Sequence, residues 1–73
     1  MRLPIDDAIL AVLYPYRWGL PASACADMLP APPGRPRWGR RHVWGRLCRL
    51  EAQGLVRRDE NKWWWVVRPE DRA

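Results

Sequence analysis

The sequence predicts an α+β fold, three helices followed by a two-stranded β-hairpin. Two observations carry that prediction. Residues 40–56, RRHVWGRLCRLEAQGLV, place Val43, Leu47 and Leu50 at i, i+4 and i+7 on one face of a helix, then break at Gly54 into the apolar pair Leu55-Val56. Residues 55–67 alternate as a strand, a polar turn and a second strand, with Asp59, Glu60, Asn61 and Lys62 between two apolar runs.

Each element has its own local reason. Pro4 suits a first helical turn, and Asp6 and Asp7 favour the positive end of a helix dipole. Ile5, Ile9 and Val12 or Leu13, with Ala8, make an apolar stripe, so the first helix spans about residues 5 to 13 or 14 and stops at Pro15. Tyr14, Tyr16 and Trp18 around Arg17 read as a packed connection, with a stacking platform for single strands as the alternative. The second helix covers about residues 21–29, with Ala24, Met28 and Leu29 facing inward. Its small residues Ala22, Ala24, Cys25 and Ala26 let another helix approach closely. A short extra strand between the first two helices is compatible with this order.

Residues 30–39, PAPPGRPRWG, hold too much proline and glycine for a helix or a central strand. They form a stiff connection whose end Trp38 anchors. The third helix runs from residue 39 or 40 to 53. Gly45 is unfavourable in its interior by up to about 1 kcal/mol relative to Ala. Gly54 takes the position after the helix, where a positive φ costs glycine nothing. Strand alternation then places Trp63, Trp65 and Val67 on one face and Trp64 and Val66 on the other. Residues 1–3 read as a loose arm and 68–73 as a frayed tail, around a core over 4–67 of a single domain, 1–73.

Seventy-three residues allow one small core, and an apolar content of 48% argues against wholesale disorder. Six tryptophans are available to fill that core. The formal net charge is +5, and its placement matters more than its size. Residues 28–50 carry Arg35, Arg37, Arg40, Arg41, Arg46 and Arg49 and no acid, a one-sided field suited to a polyanion. Cys25 and Cys48 are too few and too far apart for a zinc site, and Cys25 reads as a small buried side chain. The N-terminal stretch does not read as a signal peptide, and no apolar run approaches a membrane-spanning length, so the expected compartment is the cytoplasm. His42 has no accompanying base, acid and nucleophile in a recognisable pattern, and there is no phosphate loop or nucleophile elbow. The expectation is a non-enzyme with no cofactor, no metal and no small-molecule ligand.

The run Leu47-x-x-Leu50-Glu51-Ala52-Gln53-Gly54-Leu55-Val56-Arg57-Arg58 resembles the end of the recognition helix and the first wing strand of winged helix-turn-helix domains in small bacterial and archaeal transcriptional regulators. Asp6-Asp7-Ala8-Ile9-Leu10 resembles the start of their first helix. The resemblance covers about residues 4–67. It implies that Val43, Leu47, Leu50, Leu55 and Val56 are core. It also implies that Arg40, Arg41, His42, Trp44 and Gly45 face the major groove, and that Arg57, Arg58 and Lys62 belong to the wing. The chain departs from the family in its long proline-rich loop, in lacking a Ser or Thr cap before the third helix, and in the bulk of Trp44.

The function this implies is duplex DNA binding by a small transcriptional regulator. Arg40, Arg41 and Arg46 lead the candidate contacts, with Arg35, Arg37 and Arg49 positioning the DNA backbone. Two alternatives stand beside it. One is a protein-interaction winged helix, an adaptor or assembly subunit that uses Trp44 and a surface formed by Trp63, Trp64 and Trp65. The other is RNA or single-strand binding. Self-association through the tryptophan strand or the first helix is also expected to help so small a module.

Overall fold

The computed structural model describes residues 3–72. The elements are α1 (Pro4–Leu13), β1 (Leu20–Pro21), α2 (Ala22–Met28), α3 (Arg40–Ala52), β2 (Val56–Arg58) and β3 (Trp63–Val66), followed by a 3-10 turn over Pro69–Arg72. The strands form an antiparallel sheet in the order β1-β3-β2. This is an α+β topology of winged-helix type, and β1 is the short extra strand between the first two helices. Met1 and Arg2, expected in a loose arm, lie outside the described residues, as does Ala73.

The first helix shows how sequence sets its start. Leu3 precedes Pro4 and has no side-chain acceptor of its own. Asp6, one turn in, reaches back to accept the Leu3 N–H at 2.8 Å. This is the acidic half of a capping box. Ile5, Ile9 and Leu13 are buried along one stripe, and Asp6 is buried with them.

The third helix ends as the glycine predicts. Gly54 has φ +79°. Its N–H donates to the Glu51 carbonyl at 2.9 Å, and the Leu55 N–H donates to the Leu50 carbonyl at 3.0 Å. The paired bonds are a Schellman motif, which satisfies the last carbonyls of the helix and turns the chain into β2. Val43, Leu47 and Leu50 of α3 have no exposed surface. Each such burial contributes about 1.5–3 kcal/mol.

The sheet closes the core from the other side. Val56 pairs with Val66, Arg57 with Trp65, and Arg58 with Trp64. Trp64 points inward and is fully buried, while Trp63 is exposed and Trp65 half-buried. The alternation read from the sequence therefore holds for these three residues. β1 joins the central strand through Leu20↔Trp64 and Pro21↔Trp63. Gly19 makes that approach possible, because with φ +87° a Cβ there would lie 2.6 Å from the Trp64 carbonyl oxygen. Pro21 lacks an N–H but sits on an edge strand, where none is needed.

Four expectations need correction. Trp64 is the single tryptophan fully inside the core, so it forms no part of an interaction surface. Tyr14, Tyr16 and Trp18 are exposed, Trp18 by 89%, rather than packed. The aliphatic side chains of three helices with one indole already fill the small interior. Met28 is exposed, because α2 stops there and the extended backbone of Leu29 carries the next side chain inward. Finally, part of the expected frayed tail is a 3-10 turn held to the body of the fold. Glu70 pairs with Arg17 at 2.9 Å, and the Arg68 guanidinium donates to the Tyr14 carbonyl and lies 4.3 Å from the centre of its ring.

Candidate nucleic-acid interface

Thirteen residues make α3 about 20 Å long. Its buried face is Val43, Leu47 and Leu50, so Arg41, Gly45 and Arg49 project from the opposite side, and all three are exposed. Arg40, at the first turn, is also exposed, but lies about 100° round the helix from Arg41, off this stripe. A Cβ placed on Gly45 would meet nothing within 4 Å. The outer face therefore carries two arginines two turns apart with a bare stretch of backbone between them. No acid stands on this stripe. The helix begins at Gly39 without a side-chain cap, which leaves the positive end of its dipole open to an anion.

The other α3 candidates are engaged within the fold. Arg46 leaves the helix toward α1. Its Nε donates to Asp6 Oδ1 at 2.8 Å and its Nη2 to Asp6 Oδ2 at 2.6 Å. The pair is bidentate, with Asp6 fully buried. The hydrogen bond to Asp6 and its negative charge raise the Arg46 pKa despite partial burial, so the guanidinium stays charged. Arg46 is thus a tie between α1 and α3 and presents no free fork outward. Trp44 packs under the hairpin, edge-to-face with Trp64 at 5.2 Å between centroids. It is half-buried, which removes the steric objection to an indole on a groove-facing helix. His42 is exposed but stacks on Trp38 at 5.1 Å and 12°.

Trp38 also organises the proline-rich loop. Its Nε1 donates to the Pro30 carbonyl at 2.7 Å, which ties the two ends of residues 30–38 together. Arg37 pairs with Asp27 of α2 at 3.1 Å, with both side chains largely in solvent. Arg35 is exposed. The loop thus holds Arg35 and Arg37 beside the start of α3. A hollow of about 260 Å³ lies between Pro32, Arg35, Trp38 and His42.

The hairpin divides the wing cations between its faces. Arg58 lies 5.4 Å from the centre of Trp44 and 5.3 Å from that of Trp64, and it approaches Glu51 at 3.5 Å. Lys62 Nζ is 6.0 Å from the Trp44 ring. Both stay on the α3 side. Arg57, paired with Trp65, emerges on the outer face instead. The acids of the wing tip have a structural explanation in part. Asp59 Oδ1 accepts the N–H groups of Asn61 at 2.9 Å and Trp63 at 3.0 Å, closing the turn in which Lys62 has φ +64°.

The outer face carries residues whose place the sequence did not reveal. A groove of about 560 Å³ is lined by Arg17, Trp18, Arg57, Trp65, Val67 and Arg68. Arg17 and Trp18 belong to the α1–β1 connection, and Arg68 follows β3. They lie far apart in sequence and meet only because β1 pairs with β3. Interleaved arginine and tryptophan in both segments was the available signal.

Cys25 and Cys48 are both free thiols, and burial pushes the Cys25 thiol up to about 11. Among the described residues, no cluster of three or more His, Cys, Asp or Glu side chains could hold a metal ion. Nor is any helix among them long and apolar enough to cross a membrane. No protein-family model, curated protein or solved structure matches the chain.

Proposed function

We propose that the chain is a duplex DNA-binding module of a small transcriptional regulator, with α3 seated in the major groove. The observation that carries this reading is the Arg41–Gly45–Arg49 stripe, exposed on a helix whose opposite face is fully buried. A helix anchored in this way presents its guanidiniums from a rigid support. Arg40 and Arg41 at the leading end are the base-reading candidates, since a guanidinium fork matches the acceptor pair on guanine. Gly45 lets the helix approach the groove closely. Arg49, with Arg35 and Arg37 on the loop, positions the backbone, and Arg58 and Lys62 bracket it from the wing. His42 stands at the edge of this contact, over Trp38. Arg46 and Trp44 act indirectly, by fixing α3 against α1 and the hairpin.

The decisive experiment is selection from a random duplex pool at physiological salt. An enriched sequence is expected, with affinity that falls steeply as salt rises. The Arg40→Gln/Arg41→Gln double variant is expected to lose the enriched site while keeping its thermal transition. A protein-interaction role is the second reading, favoured by the exposure of Trp18 and Trp63. It predicts an association insensitive to salt and to Arg41.

A further inference from the structure

We propose a second binding site on the outer face of the sheet, for a short stretch of single-stranded nucleic acid. It goes beyond the duplex reading and uses residues on a different surface. The groove of about 560 Å³ brings together three guanidiniums, Arg17, Arg57 and Arg68, with two indoles, Trp18 and Trp65. Trp18 is 89% exposed, an unusual position for the largest apolar side chain, and its ring is open for stacking.

The charge of the groove selects the occupant. Among the described residues, its lining holds arginines and no acid. Glu70 stands beside it, paired with Arg17 in a bridge whose two side chains are 65% and 59% exposed. An exposed pair of this kind is worth little, so a phosphate can take the place of the carboxylate. Arg57 has its fork open to solvent on the same face. A second copy of a chain with net charge +5 would bring further positive charge to this cationic rim. A single strand answers both parts of the groove. Its bases offer π-faces to Trp18 and Trp65, and its phosphates offer oxygens to Arg57 and Arg17. A duplex does not fit the same description, because its bases are stacked inside. Trp44 and the buried Trp64 lie on the inner side of the sheet, so α3 and this groove can be occupied at the same time.

The test is a titration of the full chain with a fluorescently labelled oligothymidylate, followed by anisotropy and by quenching of tryptophan emission. Binding that weakens with salt is expected. Trp18→Ala and Arg57→Gln should each reduce single-strand affinity by roughly tenfold. Both residues are exposed, so circular dichroism and the thermal transition should not move. Arg41→Gln should leave single-strand affinity in place, and the two groove variants should leave duplex affinity in place, so the two proposals fail separately. Unchanged single-strand affinity in both groove variants overturns the site. So does tighter binding of an acidic, aromatic-containing peptide than of the oligonucleotide. Sedimentation showing a dimer that Trp18→Ala dissociates would assign the face to self-association instead, and overturn it as well.

Discussion

Asp6 is the residue whose meaning changes most between sequence and structure. As a first-turn acid it needs only the helix dipole for its explanation. It is in fact buried on the stripe of Ile9 and Leu13, where it accepts the Leu3 N–H and both arms of the Arg46 fork. The spacing Asp6, Ile9, Leu13 was legible as i, i+3 and i+7. Its partner forty residues away was not, because nothing local to Arg46 separates it from the arginines in solvent. Removing one partner of a buried pair strands the other, whereas replacing both with apolar groups can be nearly neutral. Arg46→Met is therefore expected to lower the melting temperature by at least about 10 °C. The Asp6→Leu/Arg46→Met double variant should recover most of that loss, short of the Leu3 cap, as read by thermal circular dichroism. Cys25 gives a prediction of a different kind. Its folded pKa of about 11 lies above the ordinary 9.0. The unfolded chain thus releases this proton first, and the stability present below pH 9 declines as pH rises toward 11, by about 2–3 kcal/mol from this group. Denaturant midpoints across that range should fall more steeply for the native chain than for Cys25→Ala. At neutral pH a thiol reagent should label half-buried Cys48 well before Cys25.

At the scale of elements, the two glycines with opposite surroundings make opposite predictions. Gly45 has open space where a Cβ would stand, on an exposed helical face. Gly45→Ala is expected to stabilise the fold by up to about 1 kcal/mol, and to weaken duplex binding by holding α3 away from the groove. Thermal melting and a duplex titration on the same variant check both signs. Gly19 combines φ +87° with a Cβ position 2.6 Å from the Trp64 carbonyl oxygen. Gly19→Ala is expected to destabilise by more than about 1 kcal/mol and to loosen β1, seen as faster amide exchange across the β1–β3 pairing. The contrast also explains which elements could be read from sequence. The end of α3 and the turn after β2 are written locally, in Gly54 and in Asp59, whose side chain builds the turn itself. The pairing of β1 is not local, since it depends on a glycine that fits only against the backbone of a strand forty-five positions later. The outer groove inherits that difficulty, because Arg17 and Trp18 reach Trp65 only through this pairing. The α3 stripe, by contrast, follows from a single helical period once the buried face is known.

For the whole molecule, what matters is where the charge of +5 lies. A basic chain attracts any polyanion, so salt sensitivity alone does not identify a binding face. The geometry separates general attraction from contact. Arg41 and Arg49 stand on the outer face of α3, whereas Arg17 lies beyond the sheet, against Glu70. Neutralising any one of them removes the same formal charge. Counterion release counts phosphates that are actually neutralised, at about 0.9 in the slope of log affinity against log salt for each duplex contact. Arg49→Gln is therefore expected to reduce the duplex slope by about 0.9, whereas Arg41→Gln, which removes a base contact, should lower affinity for the enriched site with little change of slope. Arg17→Gln should leave the slope unchanged and lower affinity only slightly, through net charge. For single strands the same set should invert, with Arg17→Gln and Arg57→Gln lowering the slope by about 0.7 each and Arg49→Gln leaving it alone. Equal slopes for all variants on both ligands would mean that the fold displays a diffuse cationic field rather than two built faces. The bidentate tie of Arg46 to Asp6 supplies the internal control. Arg46 already has its partner, so the Asp6→Leu/Arg46→Met variant, which removes one charge of each sign, should bind duplex with the native slope.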